Sequence, residues 1–251
     1  MPNHSITIGS IVRIAHHIVA CGDSRDPILV KATLNGEQIK LILTDVPYGV
    51  AYVEGKSQIE HEPIANDHLQ SDEEFSAFTK AWLEAARPFL DRKNAAYIFC
   101  GDKMLFALRD GMLKAEWKFG QLLIWLKTAS VIGRLDYAPQ HECIAYGWHG
   151  VHEFLKSKDK SVIIHPKPAK NVLHPTCKPI PILRRLILNS TRIGDLVFDP
   201  FAGSGTTALA AEQTKRRSIS IELMPKYCQV IIDRLEKITG EKAILLSNAA
   251  V

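Results

Sequence analysis

Two short segments of the chain carry side chains whose types and spacing suit chemistry. The first is Thr44-Asp45-Val46-Pro47-Tyr48-Gly49, at the end of the apolar run IKLILT. A carboxylate, a main-chain carbonyl and an aromatic ring on one turn are the parts needed to hold the exocyclic amine of a flat base. Asp45 can accept one amine hydrogen, the Val46 carbonyl the other, and Tyr48 can stack on the ring. Pro47 forces Val46 into an extended conformation, which aims that carbonyl. Read in isolation, the same residues also suit a proline turn with an incidental acid.

The second segment is LVFDPFAGSGTT, residues 196–207. It reads as a buried strand ending at Asp199, a turn holding Gly203 and Gly205, and a small-residue helix from about Thr206. Glycines let the backbone approach a ligand closely, and a helix N-terminus favours negative charge. Glu222 ends the next strand, 19 residues after Gly203, where an acid can hold the ribose hydroxyls of a nucleoside. The turn is not a G-x-x-x-x-G-K-[S/T] loop. It is not G-x-G-x-x-G either, because Ala208 stands three residues after Gly205. It fits an adenosine ligand without a pyrophosphate; a tight strand-to-helix turn with no ligand is the alternative.

The elements that must position these turns alternate along the chain. Residues 10–22 read as a hairpin ending at Gly22-Asp23, and residues 39–44 as a buried strand. Residues 50–70 are polar and irregular, long enough for a functional flap. Ser71-Asp72-Glu73-Glu74 opens a helix with Phe75, Phe78, Ala81, Trp82, Ala85 and Phe89 at helical spacing. Strands at 95–100, 121–126, 143–148, 196–199 and 218–222 follow. Between and after them come helices over 103–113, from about Pro179 to Asn189, from Thr206 and from Pro225. This alternation means an α/β fold with a mostly parallel sheet covered on both faces.

Composition bounds the remaining classes. Of 251 residues 46% are apolar and 23% charged, which excludes disorder and provides for a sizeable core. No apolar run approaches the roughly 18–20 residues that cross a bilayer, and the polar N-terminus is no signal peptide. Cys21, Cys100, Cys143, Cys177 and Cys228 are scattered without a C-x-x-C pair. This argues for a reducing cytoplasm and against a disulfide framework or a structural zinc site, and no metal is expected. His149, His152, His165 and His174 are not at metal-ligand spacing. The net charge of +4 is unevenly spread: residues 150–192 hold nine lysines and arginines against Glu153 and Asp159, which leaves the rest of the chain at −3. Such a stretch suits a phosphate backbone, or a solvated lysine-rich face.

Taken in order, CGDSRD, TDVPYG, AAYIFC, LIWLKT, HECIAYG, HPTCKP, DPFAGSGTT and IELMPKYCQVIIDRLEKITG resemble the amino-methylating DNA methyltransferases of the permuted (β) arrangement. In that family an Asp-Pro-Pro-Tyr motif precedes the cofactor motif. The resemblance covers nearly the whole chain and is densest from His174 to Gly240. It implies one Rossmann-like methyltransferase domain over residues 1–251, with a mostly parallel seven-stranded sheet and helices on both faces. It also implies S-adenosyl-L-methionine as methyl donor. One departure is Val46, which stands where the family has its first proline. The position contributes a carbonyl that Pro47 still constrains, so activity is expected to survive, with a free N–H and a looser turn. Members acting on cytosine N4 tend to carry Ser in place of Asp45, so the resemblance implies adenine N6. A carbon-5 enzyme needs a Pro-Cys pair, which this chain lacks.

The resemblance assigns catalysis to Asp45, Val46, Pro47 and Tyr48. It has Glu222 hold the ribose and Asp23 the adenine amine, while Asp199, Phe201, Gly203, Gly205 and Thr206 line the methionine end beside Asp45 and His174. Lys178 would meet the methionine carboxylate, or else a phosphate or solvent. The basic insert 150–173 lies where the family places target recognition, so Lys156, Lys158, Lys160, Lys167 and Lys170 are expected to contact DNA. The partner is double-stranded DNA; a homodimer and a cognate restriction nuclease are further partners the resemblance admits. Three other readings compete: cytosine N4 methylation, methylation of RNA or a protein amide, and a catalytically weakened DNA-binding homologue.

Overall fold

The computed structural model describes residues 6–47, 71–130, 136–156, 158–166 and 178–248. In chain order these form β1 (Ser10–Ile14), β2 (His17–Cys21), α1 (Pro27–Leu34), β3 (Ile39–Asp45), α2 (Asp72–Ala86), β4 (Leu90–Cys100), α3 (Leu105–Lys114), β5 (Trp117–Leu126), β6 (His141–His149), β7 (Val162–Ile164), α4 (Ile180–Ser190), β8 (Leu196–Asp199), α5 (Thr206–Gln213), β9 (Arg217–Glu222), α6 (Pro225–Thr239) and β10 (Ile244–Asn248). Two single 3-10 turns, Arg87–Phe89 and Asp102–Met104, precede β4 and α3.

All ten strands join one sheet, in the order β10-β1-β2-β9-β8-β3-β4-β6-β5-β7. Five neighbours, β2, β9, β8, β3 and β4, run parallel, and β6 is antiparallel to the strands on either side of it. The seven strands from β2 to β5 form the expected sheet. The count of seven is exceeded because both edges are extended. The antiparallel strands β1 and β10 lie beyond β2, and the short β7 lies beyond β5. An unpaired edge presents a row of unsatisfied N–H and C=O groups, and these added strands cover it.

The helices divide by chain half. Those of the first half, α1, α2 and α3, pack on one face through Leu29, Leu34, Phe75, Trp82 and Leu108 against Ile42, Ile98 and Phe198. On the other face α4 and α5 pack through Leu183, Leu186 and Ala210 against Leu43, Tyr97 and Val197, and α6 packs beside them against β1 and β2. Adjacent residues of β3 therefore serve opposite faces, which is why that strand is apolar almost throughout.

Local signals account for the helix bounds. Ser71 caps α2 in a reciprocal box with Glu74, and the helix stops at Ala86, before Pro88. Phe89 therefore falls outside the helical face to which its spacing assigned it. Helix α1 lies where the sequence reading has no element. Its signal is Asp26-Pro27: Asp26 accepts from the Ile28 amide, and Pro27 occupies the first turn.

This topology creates the site. From β3 the chain crosses to β4 on one side; from β8 it crosses to β9 on the other, over the opposite face. Strands β3 and β8 are neighbours, so a crevice opens between the two crossovers at their carboxyl ends. Asp45 ends β3 and Asp199 ends β8.

Candidate active site

Asp199 is buried at the tip of β8. Its Oδ1 accepts from the Thr44 hydroxyl at 2.6 Å and from the Phe201 amide at 3.2 Å. Burial pushes its pKa up to about 6, against the opposing hydrogen bonds from Thr44, Thr207 and the Phe201 amide. Thr44 immediately precedes Asp45, so this bond ties the two sequence motifs together. Glu222, at the tip of β9, accepts from the Gly203 amide through Oε2 and the Met224 amide through Oε1, both at 2.9 Å. Its pKa is likewise pushed up by burial, to about 7. Among the described residues no lysine or arginine is a partner of either acid. A buried Asp199 and a half-buried Glu222 held by neutral donors fit a ligand that brings positive charge.

The glycine turn supports this fit. Gly203 and Gly205 adopt left-handed backbone at φ 52° and 79°. A Cβ on Gly205 would stand 2.8 Å from Ile231 Cγ2, so glycine is required for both reasons. Phe201 forms the turn's wall, 5.4 Å from the ring of Phe78 and edge-on to Trp82 at 5.6 Å. Thr206 opens α5 and is buried.

Asp23 stands beyond β2, whose last residue, Cys21, pairs with Glu222. Its carboxylate is engaged by Arg25, with Nη2 at 2.6 Å from Oδ2 and Nε at 3.0 Å from each oxygen. The guanidinium also lies 5.6 Å from the Phe78 ring centroid. Asp23 thus reaches the crevice already paired, a partner the sequence reading does not foresee.

At the β3 turn the Val46 side chain is buried in the core. That anchorage opposes the looseness expected from replacing proline. Asp45 is paired with Lys178, which donates to Oδ2. Lys178 also lies 3.3 Å from Glu142 Oε2, and Glu142 Oε1 lies 2.9 Å from Lys127 Nζ. Burial alone would lower the Lys178 pKa, but Asp45 and Glu142 outweigh it and hold it above the ordinary value. For Glu142 burial acts upward and is overcome by Lys178 and Lys127, leaving the carboxyl below its ordinary range. The sequence reading has Lys178 at a methionine carboxylate, a phosphate or solvent; here it is buried against the Asp45 carboxylate. Glu142 and Lys127 have no role in the sequence reading. Their signal was a charge at the carboxyl-edge end of a strand, beginning HECIAYG and following QLLIWL.

Pro47 follows Val46 at the crevice, whereas Tyr48, the 50–70 segment, His174 and Cys177 lie outside the described residues. The other four cysteines are buried free thiols. One His and acid grouping appears among the described residues: His16 and His17 both meet Glu212 Oε2 at 2.9 Å. It sits at the amino edge, away from the crevice, and His17 Nδ1 is satisfied by the Ser218 hydroxyl at 2.7 Å.

The basic insert is pinned by its acids. Asp159 pairs with Arg185 and accepts from Asn189, and Glu153 pairs with Arg192 and Lys40. Arg185 and Arg192, two of the nine positive charges of residues 150–192, are thereby paired within that stretch. The Leu155 amide donates to the Asn189 carbonyl at the far end of α4, so Lys156 and Lys158 leave from the half of the sheet away from the crevice. The chain then climbs: the Ser161 carbonyl accepts from Ile124, and the His165 amide donates to Leu126. Lys160 is exposed on this climb, while Lys167 and Lys170 lie outside the described residues. Among those residues no helix is long and apolar enough to cross a membrane.

Comparison with known proteins agrees with this fold. A family model for N6/N4 enzymes, described as DNA methylase, matches residues 39–233. The type II methyltransferase M.HpaI of Haemophilus parainfluenzae is 26% identical over 239 residues, covering 82% of this chain and 72% of its own. Among solved structures, the cytosine-N4-specific PvuII DNA methyltransferase superposes with TM-score 0.71 at 17% identity, covering 90% of this chain and 91% of that one. The M1.HpyAVI–SAM complex superposes with TM-score 0.65 at 22% identity, covering 86% and 98%.

Proposed function

The chain belongs to the N6/N4 DNA methylase family, and from that premise we propose that it methylates the exocyclic N6 of an adenine flipped out of duplex DNA. The observation that carries this reading is the Thr44–Asp199 hydrogen bond. It sets a base-holding turn, Asp45 and the Val46 carbonyl, directly beside a pocket where Asp199 and Glu222 have neutral partners among the described residues. S-adenosyl-L-methionine, when bound, supplies a methyl group on a cationic sulfur and thus the positive charge that pocket suits.

The chain's own residues do the rest. Glu222 would hold the ribose hydroxyls and Asp23 the adenine of the cofactor, once Arg25 is displaced. Asp199, Phe201, Gly203, Gly205, Thr206 and His174 would line the methionine end. The lone pair of an adenine amine is delocalised into the ring and attacks poorly. Asp45 and the Val46 carbonyl accept its two hydrogens and stabilise the positive charge that develops on nitrogen, and Asp45 then takes the proton. Holding the amine in line, about 3 Å from its electrophile, supplies much of the remaining acceleration. Tyr48 stacks on the target base. We read 150–173 as the DNA-contacting insert, and of its described lysines Lys160 lies nearer the crevice than Lys156 and Lys158.

Asp45 in place of the family's N4-associated serine favours adenine. Cytosine N4 is the competing reading, because the fold is shared with an enzyme named for that specificity. Incubation with donor carrying a labelled methyl, followed by nucleoside analysis of DNA, RNA and protein, tests the proposal. Labelled N6-methyldeoxyadenosine is the expected product. Label in N4-methyldeoxycytidine, RNA or protein overturns it.

A further inference from the structure

Four charged side chains cross the carboxyl edge of the sheet in alternating sign. Asp45 ends β3, and Lys178 donates to its Oδ2. Lys178 lies over the Phe99 ring, 5.5 Å from its centroid, and Phe99 is the residue of β4 in register with Asp45. The next strand, β6, brings Glu142, 3.3 Å from Lys178. The strand beyond, β5, is followed directly by Lys127, 2.9 Å from Glu142. Both lysine side chains are only 8% exposed.

The strand register makes this row. Glu142 pairs across β5 and β6 with Trp125, and the Lys127 amide donates to the Gln140 carbonyl, which holds Lys127 at the head of the same ladder. Spanning four strands, the row is about 14 Å wide. Buried charges at this density persist only when each faces its opposite. Glu142 faces two lysines, and removing its charge leaves Lys178 with Asp45 as its remaining carboxylate partner in the row.

We propose that Glu142, backed by Lys127, is a positioning residue for methyl transfer, holding the Lys178 ammonium so that it fixes the plane of the Asp45 carboxylate. This rests on the reading of Asp45 as the acceptor of the target amine. A carboxylate turned away from the amine hydrogens does not accept them. Among the described residues Lys178 links Glu142 to Asp45, and the effect of Glu142 passes through it. Lys127 acts a step further away, by keeping Glu142 charged and aimed.

The test is steady-state kinetics of Glu142→Gln, Lys127→Met and Lys127→Arg on duplex DNA, with cofactor binding measured separately by calorimetry. Glu142→Gln keeps the side chain's shape, and its melting curve checks the fold. The expected result is a kcat lowered about 10- to 100-fold, with cofactor Kd within about twofold of the parent. Lys127→Met should show a smaller loss, which Lys127→Arg largely restores. In the Glu142→Gln background Lys127→Met should add little, since its route to Asp45 is already cut. An unchanged kcat, or a loss confined to KM, overturns the proposal. Asp45→Ala run alongside separates the two readings. If it is active, the acceptor assignment fails; if it is dead while Glu142→Gln matches the parent, only the positioning role fails.

Discussion

The crevice has two walls, and they treat negative charge in opposite ways. On the β8–β9 wall, the buried Asp199 and the half-buried Glu222 are held by hydroxyls and backbone amides, and their pKa values rise to about 6 and about 7. On the β3–β6 wall, Asp45 and Glu142 are met by Lys178 and Lys127, and Glu142 stays below its ordinary range. The first wall leaves its negative charge for a ligand to answer. The second settles its charge internally, and what it offers a substrate is direction rather than net charge. A cationic cofactor and a neutral amine call for that division.

The largest expected effect would break the comparison at its catalytic end. Asp45→Ala should lower kcat by about 10²–10³ or more, the range for removing a group that stabilises developing charge. Cofactor binding, followed by thermal shift, should change little. A variant that loses cofactor affinity while keeping turnover would show that the two walls are not separate in function.

The pH dependence sharpens the other wall. A carboxyl whose folded pKa is raised binds its proton more tightly in the folded state. Its contribution to stability is therefore fully present below the unfolded value and is lost as pH rises through the folded one. The cofactor-free protein should accordingly lose stability from these groups between pH about 4.5 and about 7. Cofactor affinity should run the opposite way, because a positive ligand favours the ionised acids. Its Kd should weaken by up to about tenfold per pH unit below the Glu222 pKa. Glu222→Gln should flatten both profiles in melting and binding measurements; unchanged slopes would remove Glu222 from the cofactor wall.

Gly205→Ala probes the same wall through its backbone. The added Cβ meets Ile231 in a left-handed conformation, and a loss of about 1–3 kcal/mol in denaturant unfolding is expected. A melting curve equal to the parent's would mean that the turn relaxes freely.

The smallest effects belong to the insert. Lys160→Gln should lower DNA affinity uniformly across sequences and reduce the slope of log K against log salt by about one. Lys156→Gln, placed near the far end of α4, should do less. Equal effects from both would mean that DNA wraps past the amino half of the sheet.

Much of the fold is legible in residue order. The alternation of apolar runs with helical patterns specifies the parallel core, the Ser71–Glu74 box marks the start of α2, and Gly205 marks a turn that no other residue fits. The unread elements were those without a strong local pattern: α1, announced only by Asp26-Pro27, and β7 and β10, which exist because an edge strand needs a partner. The candidate site divides the same way. Asp45, Asp199 and Glu222 stand in recognisable turns at strand ends, and their types and spacing name the chemistry.

What the sequence by itself determined is the set of groups and the order in which the chain delivers them. What only the tertiary structure decided is which groups face each other. Thr44 and Asp199 are 155 positions apart, and Lys178 and Asp45 are 133 apart. Lys127 and Glu142 gain their meaning from lying on adjacent strands at one edge. Hydrogen bonds and ion pairs act over about 3–4 Å, and no rule of local spacing measures such a distance across strands. The sheet order does, by bringing the ends of β3, β8, β9 and β6 to one edge.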